Sequence, residues 1–232
     1  MTDEEIKLAE FAKKYLRDYA FELIERFVAD KNFLSDERPV SVFMAGSPGA
    51  GKTEASKRLI ERFKNKPVRI DADEIREWLP GYTGANAFVF GEAAALGVNK
   101  LYDHVLKRGF NMILDSTFAY SKYMENIKRS LDRGRKIEIF YLYQDPIIAW
   151  DYTKKREAIE HRMVSKDFFI RTFFAARENV MHAKDEYKDK IELNLIISDF
   201  TKEIRRIELN IDAIDSHLKE SYTVDKLDEI LK

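Results

Sequence analysis

The chain has 232 residues, 45% of them hydrophobic, with 40 basic side chains set against 41 acidic ones. That is enough apolar material for one domain with appendages, and a net charge of −1 supplies no global attraction to nucleic acid or membrane. The absence of cysteine excludes disulfides and thiolate metal sites. The acidic start Met1-Thr2-Asp3-Glu4-Glu5 is unlike a signal peptide, and no run is long and apolar enough to span a bilayer, so a cytoplasmic protein is expected.

The first element is an amphipathic segment from Thr2 to Lys31, expected to be one long helix. Thr2 and Glu5 have the spacing of a capping box, and Phe11, Tyr15, Tyr19, Leu23 and Phe27 follow at four-residue steps. This helix is expected to pack on the flank of the domain rather than over the ligand site. A polar linker, Asn32 to Pro39, precedes the compact apolar run Val40 to Ala45, which reads as a strand. A helix beginning at Thr53, with Ala55, Leu59 and Phe63 on its buried side, comes next. Further strands are expected at Val68 to Asp71, Asn111 to Asp115, Lys136 to Leu142 and Ile191 to Ser198, with helices between them. The tail from Thr201 is expected to add an edge strand at Ile204 to Leu209 and a helix after Thr223. Such alternation predicts an α/β fold: a parallel sheet covered by helices on both faces, with an extra N-terminal helix. The expected division is 1–38 for the helix and linker, 39–200 for the main domain, and 201–232 for an extension packed on it.

Between the first strand and its helix lies Gly46-Ser47-Pro48-Gly49-Ala50-Gly51-Lys52-Thr53, which fits G-x-x-x-x-G-K-[ST]. Glycines at this spacing let backbone N–H groups turn inward around phosphate oxygens. Lys52 reaches the outer phosphates, Thr53 offers a hydroxyl to Mg²⁺, and the following helix turns its positive end toward the same anion. The segment predicts binding of ATP or GTP with Mg²⁺.

In a parallel sheet, ligands bind beyond the carboxyl ends of the strands, which singles out three further places. In Asp71-Ala72-Asp73 a carboxylate could accept a hydroxyl proton or hold Mg²⁺ through water; alternatively, Asp73 caps a short helix, Glu74 to Leu79. In Asp115-Ser116-Thr117 the charge could orient Mg²⁺ or a substrate hydroxyl, or cap the next helix. The basic stretch from Lys154 through Arg156 and Arg162 to Arg171 reads as a lid over about 152–172, or as solvated surface. His104, His161, His182 and His217 lack metal-site spacing. Most of the aromatics Trp78, Phe88, Phe90, Phe168, Phe169, Phe173 and Phe174 read as core.

Taken together, the phosphate loop, Ile70-Asp71-Ala72-Asp73, Leu114-Asp115-Ser116-Thr117, and Arg156 with His161-Arg162-Met163-Val164 resemble the zeta toxins, which are P-loop kinases. The resemblance runs from Val40 to Ser198. It implies transfer of the γ-phosphate of ATP or GTP to the 3′-hydroxyl of the amino sugar in uridine diphosphate N-acetylglucosamine. By position, Lys52 and Thr53 hold phosphates and Mg²⁺, with Asp71 as a further metal contact. Asp73 is the base, Asp115 contacts sugar or metal, Thr117 contacts the acceptor, and Arg156 and Arg162 clamp the transferring group. Glu92 is a candidate acceptor contact within Gly81 to Lys100, where the sugar nucleotide belongs. His161 stands where relatives often have glycine, and Ser165 where they often have proline. An antitoxin partner is also implied. Two alternatives stay open: a kinase for a nucleoside, antibiotic or polynucleotide 5′ end, and a nucleotide-dependent switch without turnover, against which the set of Lys52, Thr53, Asp73 and the lid arginines argues, since a pure binder needs no base.

Overall fold

The computed structural model describes residues 1–28, 32–198, 204–219 and 221–232. Its core is a six-stranded sheet ordered β2-β3-β1-β4-β5-β6, made of β1 (Val40–Ala45), β2 (Val68–Asp71), β3 (Met112–Asp115), β4 (Lys136–Tyr143), β5 (Glu192–Ser198) and β6 (Ile204–Glu208). Strands β1 to β5 pair in parallel, and β6 joins β5 antiparallel at the edge. Because strand side chains alternate between faces, β1 divides its residues between two layers. Val42 and Met44 join Ala55 and Leu59 of the helix after the phosphate loop and Phe63, which lies beyond the helix end at Ile60 rather than on it, whereas Phe43 and Ala45 enter the larger core on the opposite face.

Nine α-helices occur among the described residues: α1 (Asp3–Asp18), α2 (Ala20–Val28), α3 (Lys52–Ile60), α4 (Ala72–Trp78), α5 (Gly91–Arg108), α6 (Tyr123–Leu131), α7 (Pro146–Glu160), α8 (Lys166–Tyr187) and α9 (Val224–Ile230). The α/β architecture is the one expected, and each strand lies within one residue of its expected bounds.

The N-terminal segment differs from expectation. Its capping box forms, with Thr2 N–H donating to Glu5 at 2.7 Å and Glu5 N–H to the Thr2 hydroxyl at 3.2 Å. The helix then breaks at Tyr19, whose ψ of 30° leaves the helical range. The expected continuation to Lys31 ends in residues outside those described. The break lets both pieces pack against α5: Leu16 of α1 and Leu23 of α2 are fully buried, and both crowd the same point on α5, Gly97. A Cβ there would lie 2.8 Å from Ile75 Cγ2, 2.9 Å from Leu16 Cδ1 and 3.3 Å from Leu23 Cδ2. The four-residue row is buried only in part. Four-residue steps drift by about 40° each around a helix, so the row does not follow the buried face of α1, while Leu23 and Phe27 in α2 are buried. Ala12 and Leu16 are buried instead, while Phe11 and Tyr19 are half exposed.

At the other end, α9 docks Leu227 and Leu231 beside Trp150 and Phe169, tying the C-terminal residues to the α7–α8 pair.

Candidate active site

The phosphate loop leaves β1 at the centre of the sheet, with β3 on one side and β4 on the other. Gly49 has φ of +75°, and a Cβ on it would lie 2.0 Å from the Ala149 carbonyl, so the loop can seat against α7 only with glycine there. Helix α3 starts at Lys52, one residue earlier than expected, and is capped by Gly51 without a side-chain bond. Its first-turn N–H groups therefore face the cavity.

That cavity has a volume of about 710 Å³, a size typical of small-molecule sites. Pro48, Gly49, Gly51, Lys52 and Thr53 line it, together with Asp71, Asp73, Glu92, Asp115, Thr117, Arg156 and Arg162. Gly46, Ser47 and Ala50 stay within the loop, buried or nearly so. Lys52 Nζ folds back onto the Ser47 carbonyl at 2.6 Å. Burial pulls its ammonium down to about 8; Asp115 opposes that shift, while the positive charges of Arg162 and Arg156 reinforce it. No described residue bonds the Thr53 hydroxyl.

The carboxylates sit where β2 and β3 end, with Asp71 and Asp115 as register partners. Arg69 clamps them. Its Nη2 lies 2.5 Å from Asp71 and 2.6 Å from Asp115, its Nε donates to Asp115 at 3.0 Å, and it pairs with Glu74. Ser56 of α3 adds a 2.8 Å bond to the same Asp115 oxygen. Asp71 accepts the Asp73 N–H at 2.8 Å, so Asp71, not Asp73, caps the short helix, which runs Ala72–Trp78 rather than Glu74 to Leu79. Burial, reinforced by the charges of Asp115 and Asp73, raises the Asp71 carboxyl to about 6 against the pull of Arg69.

Freed from capping, Asp73 points into the cavity, and both its oxygens are held by arginine. Arg76, one turn on, takes Oδ1, and Arg162 from the lid takes Oδ2. The segment expected to be a lid consists of the end of α7, the break 161–165 and the start of α8. His161 closes α7 with φ of 57°, a left-handed conformation that glycine adopts without cost, which accounts for the glycine expected there. Ser165 caps α8, accepting the Phe168 N–H at 3.3 Å. Thr117 is anchored through its carbonyl, which accepts the Gly46 N–H at 3.1 Å. The next residue, Phe118, is fully buried at φ of 61°, which fixes the loop after β3.

Glu92 lies at the rim, 78% exposed, and pairs with Lys13 of α1 at 2.9 Å. Helix α1 thus packs on the domain but, unlike the flank position expected of it, also contributes Lys13 and Arg17 to the cavity wall. Phe90, Phe169 and Phe173 are core, whereas Phe88 and Phe168 are largely exposed, and Phe168 reaches the cavity. Sequence reasoning gave no role to Arg69, Arg76, Lys13 and Arg17. Two of them carried a local signal: Val68-Arg69-Ile70-Asp71 alternates and places the guanidinium on the same side as Asp71, and Arg76 stands three residues after Asp73, one helical turn away. Among the described residues, no cluster of metal-ligand type is found and no helix is long and apolar enough to cross a membrane.

Two solved structures share this architecture. One is from the PezAT chromosomal toxin–antitoxin system of Streptococcus pneumoniae, at a TM-score of 0.64 and 17% identity, covering 100% of this chain and 88% of that one. The other is AvrRxo1-ORF1 with AvrRxo1-ORF2 and sulphate ions, at a TM-score of 0.60 and 16% identity, covering 91% and 70%. At these identities the likeness concerns the fold. Comparison with curated proteins gives no match. The family model for zeta toxins matches residues 24–205, most of the chain and all of strands β1 to β5 with the loops just described, and the chain therefore belongs to the zeta toxin family.

Proposed function

We propose that the protein is an ATP- or GTP-dependent kinase that phosphorylates the 3′-hydroxyl of the amino sugar in uridine diphosphate N-acetylglucosamine. One observation carries this reading: Lys52, Asp73, Arg156 and Arg162, drawn from α3, α4 and the lid, meet in a single cavity. A nucleotide-binding switch needs no carboxylate at that point. The catalytic unit is residues 39–200 with its lid at about 152–172.

In this reading the loop N–H groups and Lys52 hold the donor phosphates. The Thr53 hydroxyl suits an inner Mg²⁺ contact, because no described residue engages it, and Asp71, already bonded by Arg69 and the Asp73 amide, suits contact through water. When bound, Mg²⁺ neutralises charge on the donor phosphates. Asp73 accepts the proton of the acceptor hydroxyl, the hydroxyl oxygen forms a bond to the γ-phosphorus, and the bond from that phosphorus to the β–γ bridging oxygen breaks, releasing the nucleoside diphosphate. Asp115 and Thr117, with Glu92 at the rim, face the acceptor.

The resting contacts add an order to these events. Asp73 cannot take a proton while Arg162 occupies its Oδ2. An incoming γ-phosphate draws Arg162 away and frees the base, so the donor binds before the acceptor. An antitoxin partner, as in the toxin–antitoxin system of the pneumococcal neighbour, is part of the same proposal.

The test incubates protein and Mg²⁺ with ATP or GTP and a panel of acceptors: the sugar nucleotide, free nucleosides, antibiotics and 5′-hydroxyl oligonucleotides. A sugar nucleotide heavier by one phosphate is expected. Product from another acceptor alone would replace the acceptor and keep the kinase. Tight nucleotide binding with no product from any acceptor would favour the switch.

A further inference from the structure

The N-terminal helix lies almost entirely before the segment matched to the family, yet it forms part of the cavity wall. Lys13 and Arg17 stand four residues apart, hence on one face of α1, and both line the cavity. Their placement is not the drift of a loose terminal helix. Between and beside them, Ala12 and Leu16 are fully buried, and Leu16 lies tight against Gly97 of α5. Lys13 is further held by Glu92, on the first turn of that same helix. Arg17 is exposed, and no ion pair to a described residue engages it. A cation in the last turn of a helix complements the helix dipole, but that would be satisfied on any face. Here the face is the cavity's.

We infer that Lys13 and Arg17 form an anion-binding wall for the acceptor, holding a phosphate or pyrophosphate group that does not react. The same cavity is lined by the phosphate loop with Arg156 and Arg162, and also by Lys13 and Arg17 of α1 with Gly91 and Glu92 at the start of α5. In the proposed function the first group serves the donor, which leaves the second for the acceptor. An acceptor with its hydroxyl at Asp73 and an anionic group farther along would meet Arg17 and displace Glu92 from Lys13. Arg17 is thus a positioning residue for the acceptor and has no part in nucleotide binding. This inference rests on the kinase reading for which ligand belongs at that wall, but not for the presence of an anion site there.

The experiment uses the full chain saturated with Mg²⁺ and a non-hydrolysable ATP analogue, so that the phosphate loop is filled. Calorimetry then measures binding of two probes, uridine diphosphate N-acetylglucosamine and inorganic pyrophosphate. Arg17→Gln should weaken both by about tenfold, the scale of one charge-assisted hydrogen bond. Arg17→Lys should recover most of the loss, and Lys13→Gln should weaken both probes less. The difference between parent and Arg17→Gln should shrink at ~0.5 M salt. Affinity for the ATP analogue and the thermal midpoint should be the same in all variants, which separates an anion site from a damaged fold. If pyrophosphate alone binds the parent, and Arg17→Gln weakens it, the inference stands and the sugar-nucleotide acceptor falls. Equal binding by parent and Arg17→Gln, or no binding of either probe to the parent, would overturn the inference.

Discussion

Lys52 shows how a burial cost is tied to function at a single residue. Its ammonium is drawn down from 10.5 to about 8 chiefly because the loop buries it, with only a carbonyl as close partner. The unfolded chain keeps the ordinary lysine value, so between these two values it binds more protons than the folded one. This residue's contribution therefore raises stability as pH climbs through that window. Bound phosphate has the opposite preference and favours the charged form. Nucleotide binding near pH 8.5 should take up about a fraction of a proton, seen calorimetrically as a heat that varies with buffer ionisation enthalpy. A buffer-independent heat would mean that Lys52 is already fully charged or never meets the phosphates. Replacing Lys52 with Ala should slow transfer at least about a hundredfold, through loss of a charge aimed at the transferring group, and leave the fold intact. Turnover of Lys52→Ala at the parent rate would remove the loop from catalysis. Arg162 has a different signature. Lysine keeps its charge but loses the planar fork, so Arg162→Lys should lower turnover far more than nucleotide affinity. A large affinity loss with unchanged turnover would make Arg162 a ground-state anchor.

At the scale of elements, the strands could be read from the sequence because each is a short apolar run bounded by polar or turn residues, as Val40 to Ala45 is by Pro39 and Gly46. The candidate residues near the strand ends were legible for related reasons: Lys52 from the glycine-rich motif after β1, Asp73 two residues beyond β2, and Asp115 as the last residue of β3. What stayed hidden depends on partners distant in sequence. Nothing near Tyr19 marks a break, since neither proline nor glycine lies there. The cause is Gly97, nearly eighty positions later, which admits Leu16 and Leu23 at one point. Lys13 and Arg17 likewise acquire meaning only from what faces them, Lys13 from Glu92 and both from the cavity. The close approach at Gly97 is itself testable. Gly97→Val should lose about 1–3 kcal/mol in urea unfolding, because Ile75 and Leu16 are fully buried and have no room to give. An unchanged midpoint would show that α1 and α2 are free to shift, and with them the cavity wall.

For the molecule as a whole, a chain of nearly balanced charge concentrates its chemistry where the central strands end. Strand β1 delivers the phosphate loop, β2 leads into Asp71 and Asp73, β3 delivers Asp115 and Thr117, and the helix after β4 leads into the lid. The sheet sets these positions, and in the proposed function the lid decides when they act. In the structure the proposed base is paired with Arg162, the arginine proposed to serve the donor. Asp73→Asn probes that arrangement most directly, because it keeps the shape of the side chain, leaves the Asp71 cap in place and cannot accept a proton. At saturating substrates, a single-turnover assay should find transfer slowed by about two to four powers of ten, the usual worth of a general base. Nucleotide affinity should be unchanged or tighter, since Arg162 no longer has a carboxylate to leave. Transfer by Asp73→Asn at the parent rate would contradict the base role and, with it, the reading of the cavity as a site where Asp73 activates the acceptor.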